Sequence, residues 1–345
     1  MMRASGAPMP TRACDPAGTL GWHRSRERDK HAGEHAPVVS SSDEMWAVRL
    51  HAPGGPQAIA IERAEIPRVH PGDALVRVHA AAITRDELEW PVDRLPATPS
   101  YELSGVIAAL APEVSDLAVG DAIWALTGFD RDGACAEYAL VPVSYLAPKP
   151  RRLGHVESAA IPLAGLTAWQ GLFDHGRLRE GERVLIHGAA GGVGQFATQL
   201  ARWRGAHVIG TSASAAVEEV LALGANEAID RTAVPLEEAI APVDLVFDTV
   251  GGDVLGRSAA LLAKGGRIVS VAEEPPAELS ERVEAMYFVV EPSRVQLVEL
   301  ARLVDEGSIR PRIDAVFPLA EARRAFERVA MPGKRGKVVL RIAAD

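Results

Sequence analysis

Residues Arg183–Gly194, RVLIHGAAGGVG, constrain this chain more than any other stretch. Val184, Leu185 and Ile186 form the apolar centre of a short buried strand, which runs straight into Gly188, Gly191, Gly192 and Gly194. Phe196, Leu200 and Trp203 follow at the four-and-three spacing of one helical face. Strand, glycine turn and helix together make the geometry that receives a dinucleotide pyrophosphate. The glycines allow a tight turn and close approach of backbone N–H groups, and the helix N-terminus presents the positive end of its dipole. A glycine-rich turn alone is weak evidence, but here the flanking elements and the units downstream agree with it.

At 345 residues the chain has room for two domains. A net charge of −9 argues against a nucleic-acid surface, because such affinity comes from clustered Lys and Arg on phosphates. No apolar run approaches the roughly 20 residues that span a bilayer. The cysteines are Cys14 and Cys135 only, and Cys14 lies in a stretch that reads as disordered, so a reduced, cytoplasmic protein is expected.

Residues 1–44 lack hydrophobic periodicity and a signal-type apolar core, and read as a disordered tail. Its histidines (His23, His31, His35) read as solvated, and Met45 is a possible translation start. From Trp46 the texture is β: 46–51, 58–62, 74–81, 103–111, 121–126 and 134–142 are short alternating or apolar runs separated by Pro/Gly/Asp turns. That spacing predicts a partly open barrel over 45–165. Beyond it, strands at 183–187, 207–211, 227–230, 243–249, 267–271 and 285–290 alternate with helical stretches such as 215–223 and 255–263. This predicts a doubly wound parallel sheet over 166–300, an α/β fold. The C-terminal 301–345 is expected to return to the barrel. It follows an amphipathic helix (Val295, Leu297, Val298, Leu300, Ala301, Val304), and holds a strand near 312–317, a helix at 319–329 and a last strand at 337–342.

Seven ordered segments then carry a family resemblance: PSYELSGVIA (99–108), GDAIWAL (120–126), AEYALVP (136–142), PLAGLTAWQGL (162–172), HGAAGGVGQFATQLA (187–201), VFDTVGG (246–252) and GKRGKVVLRI (333–342). From about Met45 to Ile342 the chain resembles the medium-chain dehydrogenase/reductases, and within them the zinc-free quinone oxidoreductase branch. The resemblance implies a GroES-like catalytic domain and a Rossmann domain with the active site between them, and commonly a homodimer paired through the outer Rossmann strand. Zinc enzymes of the family place a Cys in the segment corresponding to Ala82–Asp86 and a His-Glu pair where Tyr101-Glu102 stands. Here the first segment reads AITRD and Tyr101 replaces the His, so neither a catalytic nor a structural zinc is expected. Without zinc, the reaction rests on hydride delivery from a nicotinamide and on hydrogen bonds to the acceptor, which suits quinones and the C=C of enones.

For the cofactor, the resemblance places Ala190, Gly191, Gly192 and Val193 at the pyrophosphate, Thr167 on the nicotinamide side and Val250 at the adenosine ribose. Val271, Ala272, Phe288 and Val290 follow the carboxyl ends of later strands, where ligands sit in open α/β sheets; ordinary core is the other reading. The second strand ends Thr211-Ser212-Ala213-Ser214 without the acid that marks NAD selectivity. Ser212 and Ser214 are therefore candidate selectors of NADPH, or else helix caps. The resemblance implies a Lys in the following helix, which is absent here, and a second phosphate-holding residue after the third strand, where Arg231 stands and could make the charged contact to the 2′-phosphate. Tyr101 is either a proton donor to the reduced acceptor or a pocket wall; Thr84 and Arg85, in the segment that in zinc relatives holds the first metal ligand, are further candidates for the pocket, and His155 and His175 read as structural. The function expected is an NADPH-dependent, zinc-independent reductase of quinones or α,β-unsaturated carbonyls. The alternative is a crystallin-like NADPH-binding protein without turnover.

Overall fold

The computed structural model describes residues 44–91, 93–233 and 236–344, so the expectations for the N-terminal tail and Cys14 lie outside the described residues. Six parallel strands form one sheet in the spatial order Glu227–Asp230, His207–Ser212, Arg183–His187, Val243–Asp248, Leu262–Ser270, Glu284–Tyr287. In chain order this is 3-2-1-4-5-6, and the order reverses beside Arg183–His187, the strand that feeds the glycine turn. Val184, Leu185 and Ile186 are fully buried between helical layers, as an apolar run in an all-parallel sheet must be.

A second sheet has the order Ile313–Pro318, Lys337–Arg341, Asp73–Ile83, Glu102–Leu110, Ala122–Leu126, Ala147–Pro148, with Tyr138–Pro142 also paired to Asp73–Ile83. The C-terminal strand Lys337–Arg341 lies antiparallel against Ala80–Ile83, so the chain's end completes the sheet begun by its first half. A hairpin of Glu44–Leu50 and Ile59–Glu65 packs alongside.

Several element boundaries differ from the sequence reading, each for a local reason. The stretch expected as a helix through 263 changes at Leu262 into the long strand Leu262–Ser270. The strand expected over 285–290 ends at Tyr287, and Phe288 and Val290 leave the sheet plane to become buried. In the helix Arg294–Asp305 the inward stripe is Leu297, Leu300, Leu303 and Val304, leaving Val295 and Val298 exposed. Trp203 ends the helix Gly194–Trp203 half-exposed, beside Trp169 and Phe173, whereas Phe196 and Leu200 are buried. Of 134–142, only Tyr138–Pro142 joins the ladder; Gly133, Ala134 and Cys135 instead donate to the carbonyls of Thr98, Ser100 and Pro99.

One buried ion pair joins the halves of the second sheet. Lys337 Nζ lies 2.6 Å from Glu102 Oε1, and both side chains are sealed from solvent. The other carboxylate oxygen of Glu102 accepts the backbone N–H of Leu163 at 2.8 Å, at the start of the helix Pro162–Trp169. Lys337→Met strands a buried carboxylate, and is expected to lower stability by about 3–5 kcal/mol in denaturant unfolding; Glu102→Gln/Lys337→Met is expected to recover most of that loss. Equal losses in the single and double variants would contradict this role.

Candidate active site

The glycine turn is built by steric necessity. Gly188 has φ +72°, and a Cβ on Gly194 would sit 2.1 Å from the Gly188 carbonyl oxygen. The chain therefore folds back on itself as no other residue would permit. No side chain caps the helix Gly194–Trp203, and the amides of Gly192, Val193 and Gly194 donate to no protein acceptor among the described residues. Three free N–H groups at a helix N-terminus form an anion cradle.

Cations from the other sheet close over that cradle. Gly336 N–H donates to the Ala190 carbonyl at 3.1 Å, fastening the C-terminal segment to the turn. A Cβ on Gly192 would lie 3.2 Å from Lys337 Cδ and 3.9 Å from Lys334 Nζ. Burial pulls Lys334 down to about 8, reinforced by the Lys337 ammonium, with Arg85 and Arg328 adding to the repulsion against the pull of Asp314. Neither lysine was read from sequence as functional, although both stand in the GKRGK run quoted for the family. The signal was the run of cations; its approach to Gly192 depends on the fold.

The sequence-proposed cofactor residues gather at the carboxyl edge of the parallel sheet, directly after its strands: Ala190–Val193, Thr211–Ser214, Arg231, Val250, Val271–Ala272, and Phe288 with Val290. Their side chains are not equally available. Val250 and Ala272 are exposed, while Thr211, Phe288 and Val290 are buried. Ser258 Oγ donates to the Val254 carbonyl, so it accepts from His187 Nε2 at 3.1 Å; His187 Nδ1 is then the acceptor for the Thr211 hydroxyl at 3.2 Å. Burial lowers the His187 pKa to about 4, which keeps the ring neutral and Thr211 turned inward. Thr167 spends its hydroxyl on the Leu163 carbonyl at 2.6 Å. Ser212 is buried, with its hydroxyl on the Ala213 carbonyl. Ser214 donates to Asp230 Oδ2, so the carboxylate of Asp230 stands beside both Ser214 and Arg231. That acid ends the third strand, not the second, and escaped the sequence reading.

Tyr101, Thr84 and Arg85 lie on the barrel side of the seam. The Tyr101 ring packs against Phe129 at 5.0 Å and Trp90 at 6.0 Å. Its hydroxyl makes no hydrogen bond among the described residues, yet is not sealed in. Thr84 Oγ1 accepts from Lys337 Nζ at 3.2 Å, and Thr84 N–H donates to Glu87 Oε2 at 2.9 Å. Glu87 is buried and its Oε1 has no partner. His155 is buried against Ser104 and His79, and His175 packs on Phe288, positions within the framework.

Comparison with known proteins now fits this geometry. The description "Alcohol dehydrogenase GroES-like domain" matches residues 70–151, and "Zinc-binding dehydrogenase" matches 223–340. A "Probable zinc-binding oxidoreductase, mitochondrial" of Arthroderma benhamiae is 33% identical, covering 89% of this chain and 99% of its own. The chain belongs to the medium-chain dehydrogenase/reductase superfamily. It is an oxidoreductase of the quinone oxidoreductase-like branch. The 2-methylene-furan-3-one reductase of Solanum lycopersicum is 30% identical, covering 90% of this chain and 81% of that protein. The structure of the quinone oxidoreductase from Coxiella burnetii superposes with a TM-score of 0.82 at 30% identity, covering 87% of this chain and 100% of its own.

Zinc does not fit the residues present. At the position of the family's metal-binding His-Glu pair, Tyr101 offers a phenol, and Glu102 is already committed to Lys337 and to the Leu163 amide. Among the described residues no group of three or more His, Cys, Asp or Glu is arranged to hold a metal ion. The pyrophosphate cradle does fit a dinucleotide: free amides and an uncapped helix on one side, Lys334 on the other. Gly194→Ala forces its Cβ onto the Gly188 carbonyl, and is expected to abolish cofactor binding measured by calorimetry. Unchanged affinity in this variant would contradict the assignment of the cradle.

Proposed function

We propose that the protein is an NADPH-dependent, zinc-independent reductase of quinones or of the C=C bond of α,β-unsaturated carbonyls. The observation that carries the reading is the open pyrophosphate cradle beside a seam that offers Tyr101 and Thr84, with Glu102 committed to Lys337 rather than free to ligate a metal. The relatives' names support the acceptor class, since they include a quinone oxidoreductase of Mus musculus and an alkenal/one oxidoreductase of Arabidopsis thaliana. When bound, the reduced nicotinamide supplies the hydride. The protein's residues hold the cofactor, exclude water and present hydroxyl groups to the acceptor oxygen or carbon.

The preference for NADPH rests on the absence of an acid at the end of the second strand and on Arg231 after the third. Asp230 opposes it, because an exposed carboxylate repels a 2′-phosphate, and Ser214 is engaged with Asp230. Asp230→Asn is therefore expected to raise the NADPH/NADH ratio of kcat/KM about tenfold, and Arg231→Ala to lower it by a similar factor. The exposed Tyr287 and Val289 at the outer edge of the parallel sheet support pairing of two copies there.

Anaerobic turnover of NADPH and NADH against a panel of quinones and enones, with products identified by mass, tests the reading. Saturated ketone or hydroquinone is the expected product. NADPH binding without turnover of any acceptor would overturn it in favour of a non-catalytic binding protein.

A further inference from the structure

Gln195 and Gln199 stand one turn apart on the helix that follows the glycine turn, and both are buried. Four residues of helix and two residues of extended chain each span about 6 Å. The two side-chain amides therefore match alternate residues of the segment that returns toward the barrel. Gln199 accepts the Arg310 N–H at 3.0 Å and donates to the Arg310 carbonyl at 3.0 Å. Gln195 accepts the Arg312 N–H at 2.6 Å and donates to the Arg312 carbonyl at 3.4 Å. The backbone of both arginines is thereby fixed, and residues 310–313 line a cleft of about 290 Å³. Its other lining comes from the helix Val217–Ala222 and the residue that ends it, Leu223.

Positive charge at this cleft exceeds what its acid can balance. Glu219, with a side chain only 9% exposed, holds Arg312 through Nε on one oxygen and Arg335 through a terminal nitrogen at 3.4 Å on the other. Asp314, the next acid along the segment, is spent on Arg328 at 2.7 and 2.8 Å. No hydrogen bond takes the terminal NH2 groups of Arg312, and the Arg310 guanidinium has neither hydrogen bond nor ion pair among the described residues. Guanidinium N–H groups left over in a planar fork match the oxygens of a phosphate, which they grip two at a time. Ala222, Leu223, Pro311 and Ile313 add apolar surface beside them. The volume lies at the lower end of the roughly 300–1,000 Å³ of small-molecule sites, which leaves room for a compact organic body behind the anion.

We propose that this cleft binds a small phosphate monoester, at a site separate from the cofactor cradle. Glu219 is its positioning residue, orienting Arg312 while leaving the outer N–H groups to the ligand. None of the residues placed at the cofactor lines the cleft: the cradle is built from 190–194 and Lys334, and Ser212, Ser214 and Arg231 lie directly after their strands. Occupancy needs neither nicotinamide nor acceptor, so the inference stands apart from the reductase reading.

The probe is phenyl phosphate, titrated by calorimetry into the full chain with and without saturating NADPH. One site per chain is expected, with the same affinity in both. Arg310→Ala removes a side chain that holds nothing in the fold. It is expected to weaken phenyl phosphate binding about tenfold while leaving thermal unfolding and NADPH affinity unchanged. Arg312→Lys keeps the charge but loses the fork, and is expected to weaken the probe by a similar factor. Benzoate, a monoanion on the same ring, is expected to bind about tenfold more weakly than phenyl phosphate. Absence of binding, equal binding of benzoate, or an affinity unmoved by both arginine variants overturns the proposal. Competition of phenyl phosphate with NADPH but not with NADH also overturns it, and assigns the cleft to the cofactor's own 2′-phosphate. A chain that binds no NADPH, yet binds phenyl phosphate through Arg310, contradicts the cofactor reading and leaves this site standing.

Discussion

The buried pair between Glu102 and Lys337 is the contact on which the rest of the site depends. Lys337 opens the last strand of the chain and Glu102 opens a strand more than two hundred residues earlier. Their meeting fixes the C-terminal segment against the first domain. Because Lys337 is held there, Gly336 reaches the Ala190 carbonyl and Lys334 reaches over Gly192. The pair thus aligns the cations of one domain with the helix N-terminus of the other. A buried pair of this kind is weak evidence for stability, since desolvation offsets much of the attraction. Its evident consequence is geometric: it specifies where two domains touch.

Electrostatically the seam divides into two regions. Around the glycine turn, free amides and the Lys334 side chain create a positive environment suited to phosphate oxygens. Around Tyr101, the Lys337 ammonium sits against buried carboxyl groups, and burial raises both Glu87 and Glu102 above the ordinary carboxylate range. Thr84 joins the regions, accepting from Lys337 through its hydroxyl and donating to Glu87 through its amide. A charge on Glu87 is therefore felt by both the tyrosine and the lysine.

Much of the architecture was legible in the sequence because it follows from local rules. The glycine turn, the alternation of strands and helices and the spacing of the barrel strands are properties of short windows, and the six parallel strands stand close to where their apolar runs placed them. What escaped was set by distant contacts. Val295 looks like a core residue by composition but lies off the inward stripe of its helix. Thr211 sits at the cofactor edge, yet its hydroxyl is claimed by His187 from below. Ser214 has the chemistry of a phosphate ligand, but Asp230, sixteen residues on, takes its hydrogen bond. Glu87 reads as one more surface acid in TRDELEW until the fold buries it beside Glu102. None of these is visible until the strands are paired.

The reductase proposed above needs no metal, with hydrogen-bonding side chains at the seam acting on the acceptor. The most direct measurement is elemental analysis of the purified protein together with its NADPH-dependent turnover before and after exhaustive chelation. Far less than one zinc per chain, with activity unaffected by chelation, is the result the account expects. Stoichiometric zinc, whose removal abolishes turnover and whose return restores it, would contradict it.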